Sequence, residues 1–142
     1  MKLNTMISIA MAVLAAPAIA APACTQRTTA GTWSFKCEGE LPVGVPTRSL
    51  GTCVTSKEAY WQCTGQVNAG GTILQQQVQG QATNNADCTG HIVYDQTING
   101  VPAGQLDINY VILDNGNTIW GLPLNSGGVL ACTLRRIDRA PF

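Results

Sequence analysis

QLDINYVILDNGNTIWGLP, residues 105–123, reads as two extended runs joined by a tight turn. In the first run Leu106, Ile108, Tyr110 and Ile112 alternate with Gln105, Asp107 and Asn109. That period of two is the mark of a strand with one buried face. Asp114-Asn115-Gly116-Asn117 separates the runs. Asn and Gly tolerate the positive φ that a hairpin turn demands, so this is the strongest single turn signal in the chain.

Working outward, the same grammar repeats and helical periodicity is absent. Extended runs are expected at 31–38, 48–55, 60–68, 72–82, 90–98, 105–114, 117–123 and 128–137. Gly70-Gly71, Asn99-Gly100 and Gly127-Gly128 punctuate them as hairpin-type dipeptides, and ELPVGVP, 40–46, is a proline-punctuated loop. No linker divides the chain and no strict repeat occurs. The expected fold is all-β: a single antiparallel β-barrel, or barrel-like sandwich, of about eight strands.

The first 20 residues stand apart. Lys2 precedes a largely apolar run from Met6 to Ala16, and Ala18-Ile19-Ala20 has the small-x-small form of a cleavage site. This is the layout of a secretory signal peptide, which gives a mature domain of 21–142. The run is short for a membrane span. Without Lys2, seven basic residues face eight acidic ones, a formal net charge of −1. Such a chain has no basic field to attract nucleic acid or an anionic membrane. The expected protein is extracellular, monomeric, without cofactor and without a membrane span.

All six cysteines follow residue 20, and an even count in a small exported chain reads as three disulfides. No C-x-x-C spacing occurs and there is one histidine, so a metal site is not expected. Trp33, Phe35 and Cys37 share one face of 31–38; Leu130, Cys132 and Leu134 share one face of 128–137. In a closed barrel these first and last strands are neighbours, so Cys37–Cys132 would fasten the seam. Cys53 and Cys63 flank a short hairpin, and Cys24–Cys88 follows by elimination. Strand 48–55 is the weak point, because Cys53 lies in phase with Gly51 and Thr55 and out of phase with Leu50 and Val54.

Catalytic motifs are hard to find. His91 and Asp95 are four apart, which on a strand separates them by about 13 Å, beyond the reach of a base and its orienting carboxylate. No nucleophile elbow, phosphate loop or calcium loop occurs in the sequence. Asp95 and Asp107 occupy the polar phase of their strands and read as solvated, as does His91. No catalytic residue is assigned. One anomaly remains: Gln76 falls in the apolar phase with Leu74, Val78 and Ala82, and Gln96 in that of Ile92 and Tyr94. A few polar groups inside an apolar barrel suit a small-ligand cavity, with Gln76, Tyr94, Gln96 and Tyr110 as candidate ligand-binding residues. Whether Trp61 and Trp120 are core or surface stays open.

The order of G-x-V strand, G-G-T-I hairpin, D-C-T-G turn, V-I-L-D-N-G-N-x-I hairpin and final T-L-R-R strand over residues 50–136 resembles a group of small exported β proteins of bacteria and fungi without assigned biochemistry. In size, cysteines and leader the chain is also similar to small disulfide-stapled secreted fungal proteins, some of which elicit defence or cell death in plants. That likeness implies a non-enzymatic effector or elicitor acting through its surface on a host protein or cell-wall component. The alternative is a barrel that binds a small apolar ligand, or an isomerase or cyclase built on such a cavity, with barrels of the allene oxide cyclase type as a fold-level analogy.

Overall fold

The computed structural model describes residues 23–124 and 127–139; the expected signal peptide, 1–20, lies outside the described residues. Eight strands form one closed antiparallel barrel in sequence order: β1 (Gly31–Glu40), β2 (Pro46–Thr55), β3 (Tyr60–Ala69), β4 (Thr72–Asn84), β5 (Thr89–Ile98), β6 (Val101–Leu113), β7 (Thr118–Pro123) and β8 (Val129–Arg139). Every strand pairs with its sequence neighbours, and β1 pairs with β8 from Gly31–Arg139 to Glu40–Val129. Closure pairs both edges of every strand over most of the wall.

The turns follow the chemistry of their residues. Gly70-Gly71 (φ 56° and 93°) and Asn99-Gly100 (φ 51° and 79°) are two-residue turns with positive φ throughout, the form whose twist matches the flanking strands. The Asp114–Gly116 turn takes three consecutive positive φ values and links Leu113 to Thr118. Gly127-Gly128 belongs instead to a longer connection, 124–128, because β7 and β8 pair only as far as Gly121–Cys132.

The bridges are Cys24–Cys88, Cys37–Cys132 and Cys53–Cys63, with no free cysteine among the described residues. Cys37 lies directly opposite Cys132 across the seam, and Cys53 directly opposite Cys63. Both pairs point inward. The phase conflict in β2 resolves in favour of the cysteine: Leu50 and Val54 are exposed on the outer wall, while Thr47, Ser49, Gly51 and Cys53 face in.

The two ends of the barrel differ. One end is plugged by residues 23–30, which include a 3-10 turn, Gln26–Thr29. Asn84 Nδ2 donates to the carbonyls of Thr25 and Gln26 and to Thr29 Oγ1, each at 3.1 Å. Trp33 Nε1 donates to Thr29 O at 2.9 Å. Arg136 lies over the Trp33 ring, 4.2 Å from its centroid, and donates to the carbonyls of Gly116, Ala30 and Thr28. Partial burial holds its pKa down to about 10, with Arg139 nearby adding to the shift, so it stays cationic at neutral pH and able to bind the indole face. Trp33 and Trp61 stack at 5.8 Å and seal this end.

In the loop-closure picture a disulfide matters more the longer the segment it closes. Cys37–Cys132 spans 95 residues and Cys53–Cys63 spans 10. Replacing Cys37 and Cys132 by serine should cost about 4–5 kcal/mol, against about 3 kcal/mol or less for Cys53 and Cys63. Urea unfolding of the two double variants measures the order; equal losses would deny the seam its special place.

Candidate functional site

The interior is full at the plugged end and hollow toward the other. The cause is the choice of inward residues. Trp33, Trp61, Tyr110, Ile112 and Ile119 fill the plugged half. Thr47, Ser49 and Gly51 on β2, Gly65 and Ala69 on β3, Gly80 on β4 and Gly121 on β7 hold inward positions with little volume. The Phe35 ring covers Gly51 and Gly65, and a Cβ on either glycine would come within 3 Å of it. What remains is a cavity of about 250 Å³. Its walls are apolar, chiefly Phe35, Val78, Ile92, Leu106, Ile108 and Leu134 with both inward disulfides. No charged side chain and no histidine lines it among the described residues.

All four candidate ligand-binding residues line this cavity: Gln76, Tyr94, Gln96 and Tyr110. Gln76 lies opposite Ile98, and Gln96 opposite Val78, so the two glutamines are diagonal neighbours on the inner face of β4 and β5. Tyr94 is the next inward position below Gln96. The side chains of Gln76, Gln96 and Tyr94 have no hydrogen-bond partner among the described residues. They form a polar stripe on a wall whose other polar side chains are Thr47 and Ser49, and Tyr94 is only 8% exposed. Unsatisfied polar groups this deep are unfavourable unless water or a ligand meets them.

Tyr110 differs. Its hydroxyl donates to Asn84 Oδ1, which is itself part of the plug, so that hydroxyl is committed to structure. Its ring fills the space that Gly90 leaves, since a Cβ there would sit 2.2 Å from the ring. Burial pushes the Tyr94 phenol well above the ordinary tyrosine range, with Tyr110 adding to the shift, and burial does the same to Tyr110. Both stay neutral.

The plug-free end is the mouth, framed by Leu41, Ala69, Ile98, Pro123 and Leu130. Among the described residues, β7 and β8 pair only as far as Gly121–Cys132, and β6 pairs with β7 only from Ile108 onward.

The outer wall carries one arrangement that strand alternation could not reveal. His91 Nε2 and Asp107 Oδ1 are 2.7 Å apart across β5 and β6, both solvent-accessible. Thr83 stands directly opposite His91 across β4 and β5, Thr89 Oγ1 is bonded to Asp87 and Asn85, and no serine or cysteine lines the shallow depression beside His91 among the described residues. The pair has the form of a cross-strand contact. Asp95 is separate, bonded to Gln105 Nε2 at 2.9 Å. Trp61 is buried and Trp120 is 58% exposed, so the two do not form one aromatic surface. Among the described residues no group of His, Cys, Asp or Glu could hold a metal ion, and no helix is long and apolar enough to cross a membrane.

Fold and cavity together define a closed up-and-down barrel with one plugged end and an apolar, uncharged lumen open at the other. Comparison with protein-family models, curated proteins and solved structures finds no match to this chain.

The two lumen tyrosines should respond in opposite ways to loss of the hydroxyl. Tyr110→Phe leaves Asn84 without its donor and should destabilise the fold by about 1–3 kcal/mol. Tyr94→Phe removes an unpaired polar group and should leave stability unchanged or raised. Chemical denaturation of both variants distinguishes them; equal destabilisation would place a partner on Tyr94.

Proposed function

We propose that the protein binds a small, uncharged, mostly apolar molecule in the barrel lumen. The observation that carries this reading is the unpartnered stripe of Tyr94, Gln96 and Gln76 facing a hollow apolar space. An eight-stranded barrel is of the size that either fills with side chains or holds one small ligand. A cavity of about 150 Å³ accommodates benzene, so 250 Å³ corresponds to about ten heavy atoms, just below the range of drug-sized pockets. The wall would clasp a hydrocarbon skeleton, and the stripe would bond one hydroxyl, carbonyl or ether oxygen at its end. The phenol donates, and each amide both donates and accepts.

Two features narrow the class. No cationic group faces the lumen to neutralise a carboxylate, and burying an unpaired charge is costly, so the ligand is neutral. No carboxylate or imidazole faces it either, and its two phenols are held neutral, which favours binding over isomerase or cyclase chemistry. A surface-acting effector or elicitor needs neither the hollow nor the unpaired stripe, and for that reason ranks second. Three disulfides suit an oxidising setting and, with the leader-like residues 1–20, support secretion.

Titrating the mature chain with 1-decanol and with decanoate at pH 8, followed by native mass spectrometry and calorimetry, tests the reading. Decanol should bind one to one, and decanoate at least tenfold more weakly. Decanoic acid should recover affinity as the pH falls through the carboxylic-acid range and the ligand becomes neutral. Tyr94→Phe should weaken decanol about fivefold, the worth of one hydrogen bond of about 1 kcal/mol. Equal affinity for decanol and decanoate at pH 8, or none for either, would contradict the proposal.

A further inference from the structure

The mouth carries a second pattern, in its rim. All four connections at this end expose a large apolar side chain: Val43 between β1 and β2, Ile73 at the start of β4, Val101 at the start of β6, and Leu124 and Val129 around the β7–β8 connection. Leu122 and Trp120 on the outer face of β7 are also exposed, but Trp120 pairs with Val111, ten residues along β6 from Val101. Isolated apolar side chains on a surface are ordinary, but a ring of them around one opening is not.

Charge is distributed in the opposite sense. Residues 67–78, 96–106 and 119–134, which form three of the four mouth segments, contain no Asp, Glu, Lys, Arg or His. The charges nearest the opening are those of β1 and β2. There Glu40 Oε2 accepts from the backbone N–H of Gly44 at 2.8 Å, Glu38 lies 3.9 Å from Lys36 Nζ, and Arg48 is the fourth; Asp95 and Asp107 lie farther down β5 and β6, Asp107 beside Leu124. Arg27, Lys57, Glu58, Asp87, Asp114, Arg135, Arg136, Asp138 and Arg139 gather toward the plugged end. Charge is thus concentrated toward the plugged end, where Val54, Tyr60 and Ile137 are exposed as well, and is absent from the hairpins 67–78 and 96–106 at the opening.

We propose that the mouth docks on an uncharged lipid surface, with the rim seated at the boundary between headgroups and acyl chains. Ile73 and Val101, on hairpins without a charged residue, can enter that boundary without burying a charge, while Glu40, beside Val43 and opposite Val129, stays at the headgroup edge and the charged base remains in water. The surface is a zwitterionic one, because the rim lacks the basic cluster that an anionic membrane would attract. Docked in this way, the lumen opens directly into the phase in which a neutral apolar ligand dissolves. The inference rests on the ligand reading for its purpose, but its own evidence is the rim.

Flotation of the intact mature protein with phosphatidylcholine vesicles tests it. The protein should float with the vesicles. A Val101→Asp/Leu124→Asp variant should lose at least tenfold in vesicle affinity while binding 1-decanol in solution as the parent does. A protein that stays with the soluble fraction, that requires anionic lipid, or that floats equally well with both aspartates in place overturns the docking surface. So does a concentration-dependent dimer that the same variant dissolves, which would assign the rim to a second copy of the chain. Vesicle binding without any decanol binding would leave the docking surface standing and remove the ligand reading instead.

Discussion

The structure depends on one constraint, the closure of β1 upon β8. Ten paired positions and the inward Cys37–Cys132 bridge join the first strand to the last. Once eight strands close, the diameter follows from their number, and the inner space is fixed before any side chain is chosen. What the side chains then decide is whether that space is filled. Here the answer changes along the axis: indoles, Tyr110 and isoleucines fill the plugged half, whereas glycine, serine and threonine positions leave the mouth half hollow.

The two halves hold polar groups differently. At the plugged end Asn84 receives from Tyr110 and donates to the N-terminal segment, and Arg136 is satisfied by three carbonyls over an indole, although Thr55 Oγ1 and Trp61 Nε1 are buried there without a partner. A hydrogen-bonded network of this kind helps to fix one arrangement. In the lumen, Tyr94, Gln76 and Gln96 face a space that provides no protein partner. Sites where a fold tolerates such incomplete satisfaction are the places to look for function. The ligand reading rests on that contrast more than on the size of the cavity.

Much of this was legible from alternation and turn chemistry, and the rest was not for identifiable reasons. Strand phase placed Cys37 and Cys132 well enough to pair them, the short hairpin paired Cys53 with Cys63 although the phase of β2 spoke against it, and phase singled out Gln76 and Gln96 as polar residues on an inner face. The same phase, extended two residues, reaches Arg136 from Leu134 and Asn84 from Ala82, yet a charged or polar residue at a strand end reads as solvated until its partners are known. Those partners lie in residues 23–30, a segment with no periodicity to read. The His91–Asp107 contact depends on the register between β5 and β6, which alternation within one strand cannot supply. Trp61 and Trp120 show the same limit: pairing of Cys63 with Cys53 turns Trp61 inward, while Gly121 takes the inner position beside Trp120 and turns the indole out.

The central claim is that the lumen is empty of protein and accessible. Xenon-pressurised crystals of the mature chain test it most directly, because xenon occupies apolar cavities of this size without needing a polar partner. The account predicts xenon density inside the barrel, between Phe35, Val78, Ile92 and Leu106 and above the Trp33–Trp61 pair. A lumen without xenon, with the inward side chains closed over the space beside Tyr94, would contradict it.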